Sequence, residues 1–394
     1  MRISKGFIPC LTIMIAVLIC GFAFAQEPAR QASPPPQARP RTPNDTLVSP
    51  EVLPDKQVTF RLYAPDARTV KVNGEWFNSP EEQKNATHDL EAGSNGVWSV
   101  TIGPLMPGTF RYRFIVDGVQ VTDPRNPNSS GSFYYVYSVF SVPGLDYQDI
   151  HDVPHGAVAS VWYQSKALGI LRRMHIYTPP GYEEGKGKYP VFYLLHGAGD
   201  ADDVWTTEGR AAVNIDNLIA AKQAKPMIVV MPAGHTPSQV PGGAPGGMRS
   251  RDFEKDFWQD IMPYVESHYR VRLDRNSRAI AGLSMGGMQT LHISMAHLDK
   301  FAYIGVVSSG WIRQTPEAIE KEYGTELSDV RAQKGLRVFW FATGKGDGLI
   351  PSTRTSVEIL KKHGFNVELE ESNGMHTWIN WRDYLHQFAP RLFQ

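Results

Sequence analysis

The sequence predicts an α/β protein: a mostly parallel sheet covered by helices on both faces, preceded by a small all-β immunoglobulin-like sandwich. Three observations carry this. From about residue 160 onward, near-continuous apolar runs alternate with stretches of helical periodicity, as expected of strands buried on both faces. From about Val48 to Val142, short period-2 segments are separated by turn signals, the pattern of a half-buried antiparallel sandwich. At residues 278–297 a strand, a tight glycine turn and a helix follow one another directly.

The chain has 394 residues, too many for one compact domain and enough for two plus a leader. Lys plus Arg and Asp plus Glu number 40 each, a net charge of 0, which argues against a nucleic-acid binder resting on a basic surface. A hydrophobic content of 42% with 11% aromatic residues is enough for large cores and excludes wholesale disorder. Two cysteines make no disulfide framework, and both, Cys10 and Cys20, sit near the N-terminus.

Arg2 and Lys5 precede an uncharged run from Gly6 to Ala25. The run is apolar over Phe7–Cys20 and closes on Ala23-Phe24-Ala25, the small-x-small pattern of a signal-peptidase site. A retained membrane anchor is the alternative, since about 20 uncharged residues span a bilayer. Pro9, Gly21 and the cleavage-like end favour a cleaved signal over residues 1–25, hence a secreted or periplasmic protein with no membrane association afterwards. Ile19 before Cys20 is too large for a lipoprotein site. Cleavage removes both cysteines and leaves 38 basic against 40 acidic residues, a net charge of −2. Residues 26–43 then hold six prolines in eighteen positions with no large apolar side chain. Such a segment buries too little to offset its ordering entropy, so residues 26–47 read as a stiff tether.

Residues 48–143 form the predicted sandwich. Val58, Phe60 and Leu62 alternate with Thr59, Arg61 and Tyr63, and Ala64-Pro65-Asp66 ends the run. Val70-Lys71-Val72 leads into Asn73-Gly74; Trp98, Val100 and Ile102 alternate again. Phe110, Tyr112, Phe114 and Val116 run into Asp117-Gly118, a strong hairpin signal. Residues 144–159 read as an interdomain linker.

Residues 160–394 carry the chemistry. The runs 189–196, 226–232, 278–283, 302–308 and 336–343 predict buried strands, and Phe253, Phe257, Ile261, Tyr264 and Val265 recur at helical spacing. The turn Gly282-Leu283-Ser284-Met285-Gly286 is a G-x-S-x-G sequence between strand and helix. Glycines are needed there because side chains beside a serine in so strained a turn would clash. A serine hydroxyl needs a base, and the base an orienting carboxylate. In the α/β-hydrolase three-layer sandwich these follow in the order Ser, Asp or Glu, His. Asp347 lies in the glycine-rich loop after the strand ending at Thr343, and His376 follows a predicted strand over 366–371. Both stand at carboxyl ends of strands, where they would meet Ser284. Asp347 as a mere solvated turn residue is the plainer alternative; Glu368, Glu370 and Glu371 lie within a strand and fit worse. His196-Gly197-Ala198-Gly199 follows the strand 189–195, so the oxyanion donors are expected at the Met285 N–H and at Ala198, with Gly197 as the other possibility. His196 itself reads as a structural hydrogen bonder. His363 precedes Gly364 at a helix end, and His292, His297 and His386 fall in helices at no metal-ligand spacing. No H-E-x-x-H and no cysteine ligand is present, so neither a metal nor another cofactor is expected.

Two resemblances follow from these residues. The segments Phe60-Arg61-Leu62-Tyr63-Ala64-Pro65, Val70-x-Val72-x-Gly74-x-Trp76, Gly96-Val97-Trp98 and Tyr112-Arg113-Phe114-x-Val116-Asp117-Gly118 followed by Asp123-Pro124 resemble the early-set sandwich related to family-48 carbohydrate-binding modules. That resemblance implies either a module holding polysaccharide near the active site or a spacer with Trp76 and Trp98 in its core. Residues 155–394 resemble the family-1 carbohydrate esterases, which include feruloyl and acetylxylan esterases. The resemblance rests on Tyr177-Thr178-Pro179-Pro180-Gly181-Tyr182, Tyr189-Pro190-Val191, Leu194-Leu195-His196-Gly197, Asp216-Asn217-Leu218, Gly282-Leu283-Ser284-Met285-Gly286-Gly287 and His376-Thr377-Trp378 before Trp381-Arg382. It implies the triad Ser284, Asp347, His376.

The expected activity is a secreted serine esterase acting on feruloylated or, second, acetylated xylan, with an acylated plant polysaccharide or oligosaccharide as partner. A trilactone siderophore esterase and a glycan-binding protein with a relic hydrolase domain are the alternatives. Ser309-Gly310-Trp311-Ile312 and the glycine- and proline-rich loop Ala233–Asp252 depart from the family pattern, and the loop is expected to border the substrate site. Trp205, Trp311 and Trp378, with Trp381, are candidates to stack on a ferulate ring or a sugar, against the plainer reading of core packing.

Overall fold

The computed structural model describes residues 40–236 and 251–394. The predicted leader, most of the proline-rich tether and most of the loop Ala233–Asp252 lie outside the described residues.

The N-terminal part is all-β. Strands Glu51–Val52, Val58–Tyr63, Val97–Ile102 and Glu91–Ala92 make one sheet in that order. Thr87–Asp89, Val70–Gly74, Gly108–Val116, Val136–Val142 and Ser129–Gly131 make the second, with Val119–Val121 paired to Gly108–Val116. The alternation read in the sequence puts Val58, Phe60 and Leu62 inside, against Tyr112, Phe114 and Phe140. Asp117 (φ 47°) and Gly118 (φ 87°) make the hairpin turn, and the Asp117 carboxylate accepts the N–H groups of Arg68 and Thr69. Trp76 is buried in this core. Trp98 packs against it and donates its indole N–H to the Ala64 carbonyl at 2.9 Å, so both tryptophans are structural.

The C-terminal part is built on an eight-stranded sheet in the order Ala157–Ser165, Ile170–Thr178, Ile228–Pro232, Val191–Leu195, Arg278–Leu283, Tyr303–Val307, Val338–Gly344 and Glu368–Ser372. The last six are parallel; the first two form an antiparallel hairpin at one edge. That hairpin begins at Ala157, inside the stretch read as linker. Its outer strand exposes most of its length, so it lacks the apolar run that marks the central strands. Within Val191–Leu195, Tyr193 and Leu195 enter one core with Phe257, Leu291 and Leu360, while Phe192 and Leu194 enter the other with Ile215, Trp340 and Phe388. Helices Met285–Ala296 and Ile350–Lys362 cover the first face; Ala211–Ala220 and Trp378–Phe388 cover the second. Each fully buried Leu, Val, Ile or Phe contributes about 1.5–3 kcal/mol of transfer free energy, so the strands that carry the site are held from both sides. The helical spacing of Phe253, Phe257, Ile261 and Val265 is observed as a helical stretch over Asp252–His268, with one wider π turn at Phe257–Ile261. Among the described residues no helix is long and apolar enough to cross a membrane.

Candidate active site

Ser284 stands between the strand Arg278–Leu283 and the helix Met285–Ala296 with φ 53° and ψ −117°, a backbone region that L-residues occupy only when their surroundings enforce it. The enforcement is visible. Ser284 N–H donates to the Val307 carbonyl at 2.9 Å, and Ser309 Oγ donates to the Ser284 carbonyl at 2.6 Å. A Cβ on Gly282 would lie 2.3 Å from the Gly286 carbonyl oxygen, and one on Gly286 would lie 2.6 Å from that of His196. Both glycines are therefore required by close backbone approach.

The side chains chosen from chain order are brought together. His376 Nε2 lies 3.1 Å from Ser284 Oγ, and His376 Nδ1 lies 2.8 Å from Asp347 Oδ2. Asp347 is 2% exposed, not a solvated turn residue. Its Oδ1 accepts the Leu349 N–H at 2.8 Å. Burial alone would raise this carboxyl. The hydrogen bond and charge of His376, the Leu349 N–H and the Ser308 hydroxyl outweigh burial and hold it below the ordinary carboxylate range. The two loops are tied to each other by Gly346 N–H donating to the Gly374 carbonyl at 2.9 Å. Glu368, Glu370 and Glu371 lie in the strand Glu368–Ser372, away from this line.

Gly197 and Ala198 line the same cleft as Ser284 and His376, and Met285 is the first residue of the helix. His196 is buried, with Nδ1–H directed at the Gly197 carbonyl (2.8 Å) and Nε2 accepting the Gly234 N–H (2.8 Å). Both ring nitrogens are used, and burial pushes its pKa down, which fits the structural role read from sequence. His363 bonds Glu320, and buried His292 bonds the Tyr323 hydroxyl.

The cleft has a volume of about 390 Å³. Trp378 and Trp381 line it, Trp381 with its ring edge-on to His376 at 4.9 Å and its N–H on Ser308 Oγ at 3.0 Å. Trp205 and Trp311, candidates for stacking, take the plainer core role instead. Trp205 is buried, edge-on to Trp378, with its N–H on the Leu195 carbonyl. Trp311 is 1% exposed and packs against Tyr323 in the core. Neither lines the cleft.

The opposite wall comes from the sandwich: Glu75, Phe77, Arg111, Ser132, Tyr134, Tyr135 and Tyr137. Sequence reasoning missed all seven, because residues this distant in the chain share no period or spacing with the serine turn. Phe133 N–H donates to the Gly199 carbonyl at 3.1 Å, so the sandwich also braces the loop after His196. Below this wall Arg111, 3% exposed, donates to Asp200 at 2.5 Å and lies 3.8 Å from Glu208, which Arg382 reaches from the other side at 3.4 Å. Burial raises the Glu208 carboxyl to about 8, against the pull of Arg111 and Arg382. Removing one partner of such a buried group strands the others. Arg111→Ala is therefore expected to destabilise the protein by about 3–5 kcal/mol, read as a lower urea midpoint at unchanged slope. A midpoint equal to wild type would show that the network carries no stability.

The chain is similar to known esterases in sequence and in fold. Residues 165–392 match the family model Esterase, described as "Putative esterase", and residues 48–128 match carbohydrate-binding module 48, the isoamylase N-terminal domain. An endo-1,4-β-xylanase/feruloyl esterase of Xylanibacter ruminicola is 34% identical over 356 residues, 88% of this chain and 46% of that protein. The chain thus spans about half the length of that curated relative. A solved ferulic acid esterase superposes with TM-score 0.53 at 26% identity, covering 60% of this chain and 97% of that one. The enterobactin esterase of Shigella flexneri superposes with TM-score 0.60 at 18% identity over 86% of this chain and 93% of its own, a likeness of fold that takes in the sandwich as well.

Proposed function

The chain belongs to the esterase family, and on that premise we propose that it is a secreted serine esterase removing feruloyl groups from plant cell-wall xylan, with xylan acetyl groups second. The observation that carries this reading is the line Asp347–His376–Ser284 opening into a cleft with aromatic side chains on both walls. His376 Nε2 takes the Ser284 proton as Oγ attacks the ester carbonyl. The N–H groups of Met285 and of Ala198 or Gly197 hold the oxyanion, each worth about 2.7–4 kcal/mol in the transition state. The sugar alcohol leaves with the proton from His376, and water, deprotonated by the same nitrogen, then frees the acid from Ser284. Asp347 fixes the imidazole tautomer and stabilises the imidazolium. These steps need no cofactor. Secretion is supported by the leader-like pattern read in the sequence over residues 1–25, and a role for the sandwich in holding sugar by its rings at the cleft.

The test is a substrate panel: methyl ferulate, feruloylated arabinoxylan, acetylated xylan and a ferric trilactone siderophore. Ferulate release from arabinoxylan is the expected result. Turnover of the trilactone without action on either xylan ester would reverse the assignment in favour of a siderophore esterase. No labelling by a fluorophosphonate would favour a glycan-binding relic. Tyr135 is 49% exposed at the cleft and lies under the Arg113 guanidinium. Losing one stacking ring costs about 0.5–1.5 kcal/mol, so Tyr135→Ala is expected to raise KM for feruloylated xylo-oligosaccharide roughly 2- to 12-fold. The effect on p-nitrophenyl acetate should be smaller. An equal effect on both esters would remove the ring from sugar or ferulate contact.

A further inference from the structure

The loop bearing His376 is gripped by one side chain of the other domain. Asn78 Oδ1 accepts the Met375 N–H at 2.9 Å and the Thr377 hydroxyl at 2.8 Å, the residues on either side of His376. Asn78 Nδ2 donates to Asn380 Oδ1 at 3.0 Å, and Asn380 Nδ2 donates back to the Met375 carbonyl at 2.9 Å. The four bonds use both ends of both amides and close a ring around the loop. Only one orientation of the Asn78 amide satisfies them, since Met375 offers an N–H and must meet an oxygen.

Asn78 is itself held. Its N–H donates to Glu82 Oε2 at 2.7 Å, and Glu82 N–H donates to Ser79 Oγ at 3.2 Å. This variant of the capping box anchors the short helix Pro80–Lys84 of the sandwich. On the receiving side Gly374 has φ 98°, and a Cβ there would lie 2.3 Å from Asn78 Nδ2. The loop conformation and the approach of Asn78 fit each other.

Resting on the serine-hydrolase reading above, we propose that Asn78 is a positioning residue for catalysis: the sandwich domain sets the His376 imidazole against Ser284 through this one amide. Its own domain holds the His376 loop by the strand end at Ser372, by the Gly346 N–H on the Gly374 carbonyl, by Asn380 on the Met375 carbonyl and by the start of helix Trp378–Phe388. The Met375 N–H and the Thr377 hydroxyl are taken by Asn78. The Asp347 bond fixes the ring from one side, while Asn78 fixes the backbone on which the ring turns. The sandwich is therefore part of the machinery for any ester, polymeric or small, and its contribution reads out in turnover as well as in polysaccharide affinity.

The experiment compares wild type, Asn78→Ala, Asn78→Asp and Ser284→Ala as full-length enzymes on p-nitrophenyl acetate and methyl ferulate. Misplacing a catalytic group by about 1 Å costs about 100-fold, so Asn78→Ala is expected to lower kcat about 10- to 100-fold on both esters, with KM within about twofold. The rate at which a fluorophosphonate modifies Ser284 should fall in step, although that reagent touches no sugar site. Asn78→Asp keeps the acceptor for the Met375 N–H and the Thr377 hydroxyl but sets its second oxygen against Asn380 Oδ1, so it should recover only part of the loss. A kcat for Asn78→Ala within about twofold of wild type, or a change confined to KM, would overturn the proposal. If Asn78→Ala fails to fold, Thr377→Val removes one of the two gripped donors from the hydrolase side. It should still lower kcat several-fold, and wild-type turnover there overturns the proposal equally. Ser284→Ala separates the two readings: if it retains turnover the serine mechanism fails, whereas a dead Ser284→Ala beside a fully active Asn78→Ala removes only the positioning role.

Discussion

Replacing Ser284 with alanine is expected to lower kcat for methyl ferulate by about 10⁶-fold, the scale on which serine hydrolases lose turnover with their nucleophile. The fold should stand, because the substitution removes one oxygen and leaves the strained turn held by Val307 and Ser309. Ser132 lies in the same cleft but is no substitute. Its Oγ accepts the N–H groups of Tyr134 and Tyr135. Intact mass after fluorophosphonate treatment gives the second readout, with a single adduct on wild type and none on the variant. Turnover within tenfold of wild type, beside an unmodified variant, would falsify the mechanism.

Asp347→Asn comes next, with an expected loss in kcat of about 10⁴-fold at neutral pH and little change in KM. The amide nitrogen would point a donor at His376 Nδ1, forcing the proton onto Nε2 and leaving no base for Ser284. The same variant tests linkage. The wild-type carboxyl is held below its ordinary range, so the folded state binds its proton less readily than the unfolded chain. Its contribution to stability is full above the unfolded value of about 3.9 and is lost as pH falls through the lower folded value. Wild type should therefore lose this advantage over Asp347→Asn between about pH 4 and lower values, measured by urea unfolding at pH 7 and pH 3. A stability difference of the same size at both would show that the carboxyl is not depressed.

The serine turn, the strands around it and the order Ser284, Asp347, His376 were legible because each is written locally. The turn is five adjacent residues, and the strands are unbroken apolar runs with the other two side chains just past their ends. The sandwich was legible for the same reason, through the alternation of Val58, Phe60 and Leu62. The tryptophans were not: an indole serves a core and a sugar site equally well. All three of Trp311, Trp205 and Trp378 are buried, and Trp378 differs only in lining the cleft. The antiparallel edge hairpin was blurred because its outward residues are polar or exposed, and its first strand starts in the expected linker. Least visible was the joint between domains. Asn78 reads as a turn residue before a proline, and Arg111 as one polar position in an aromatic strand. Their partners stand far along the chain, and pairing at that distance has no period to detect.

Arg111 also sets an order of events in biosynthesis. The sandwich is complete in the nascent chain before Asp200, Glu208 or Arg382 has been added. At about 5–20 residues per second, its face waits on the order of tens of seconds for the last of them. Before Asp200 and Glu208 join it, the guanidinium lacks carboxylates that it meets in the folded protein. The buried charge network around Arg111 can close only after Arg382, in the final helix, has joined the chain.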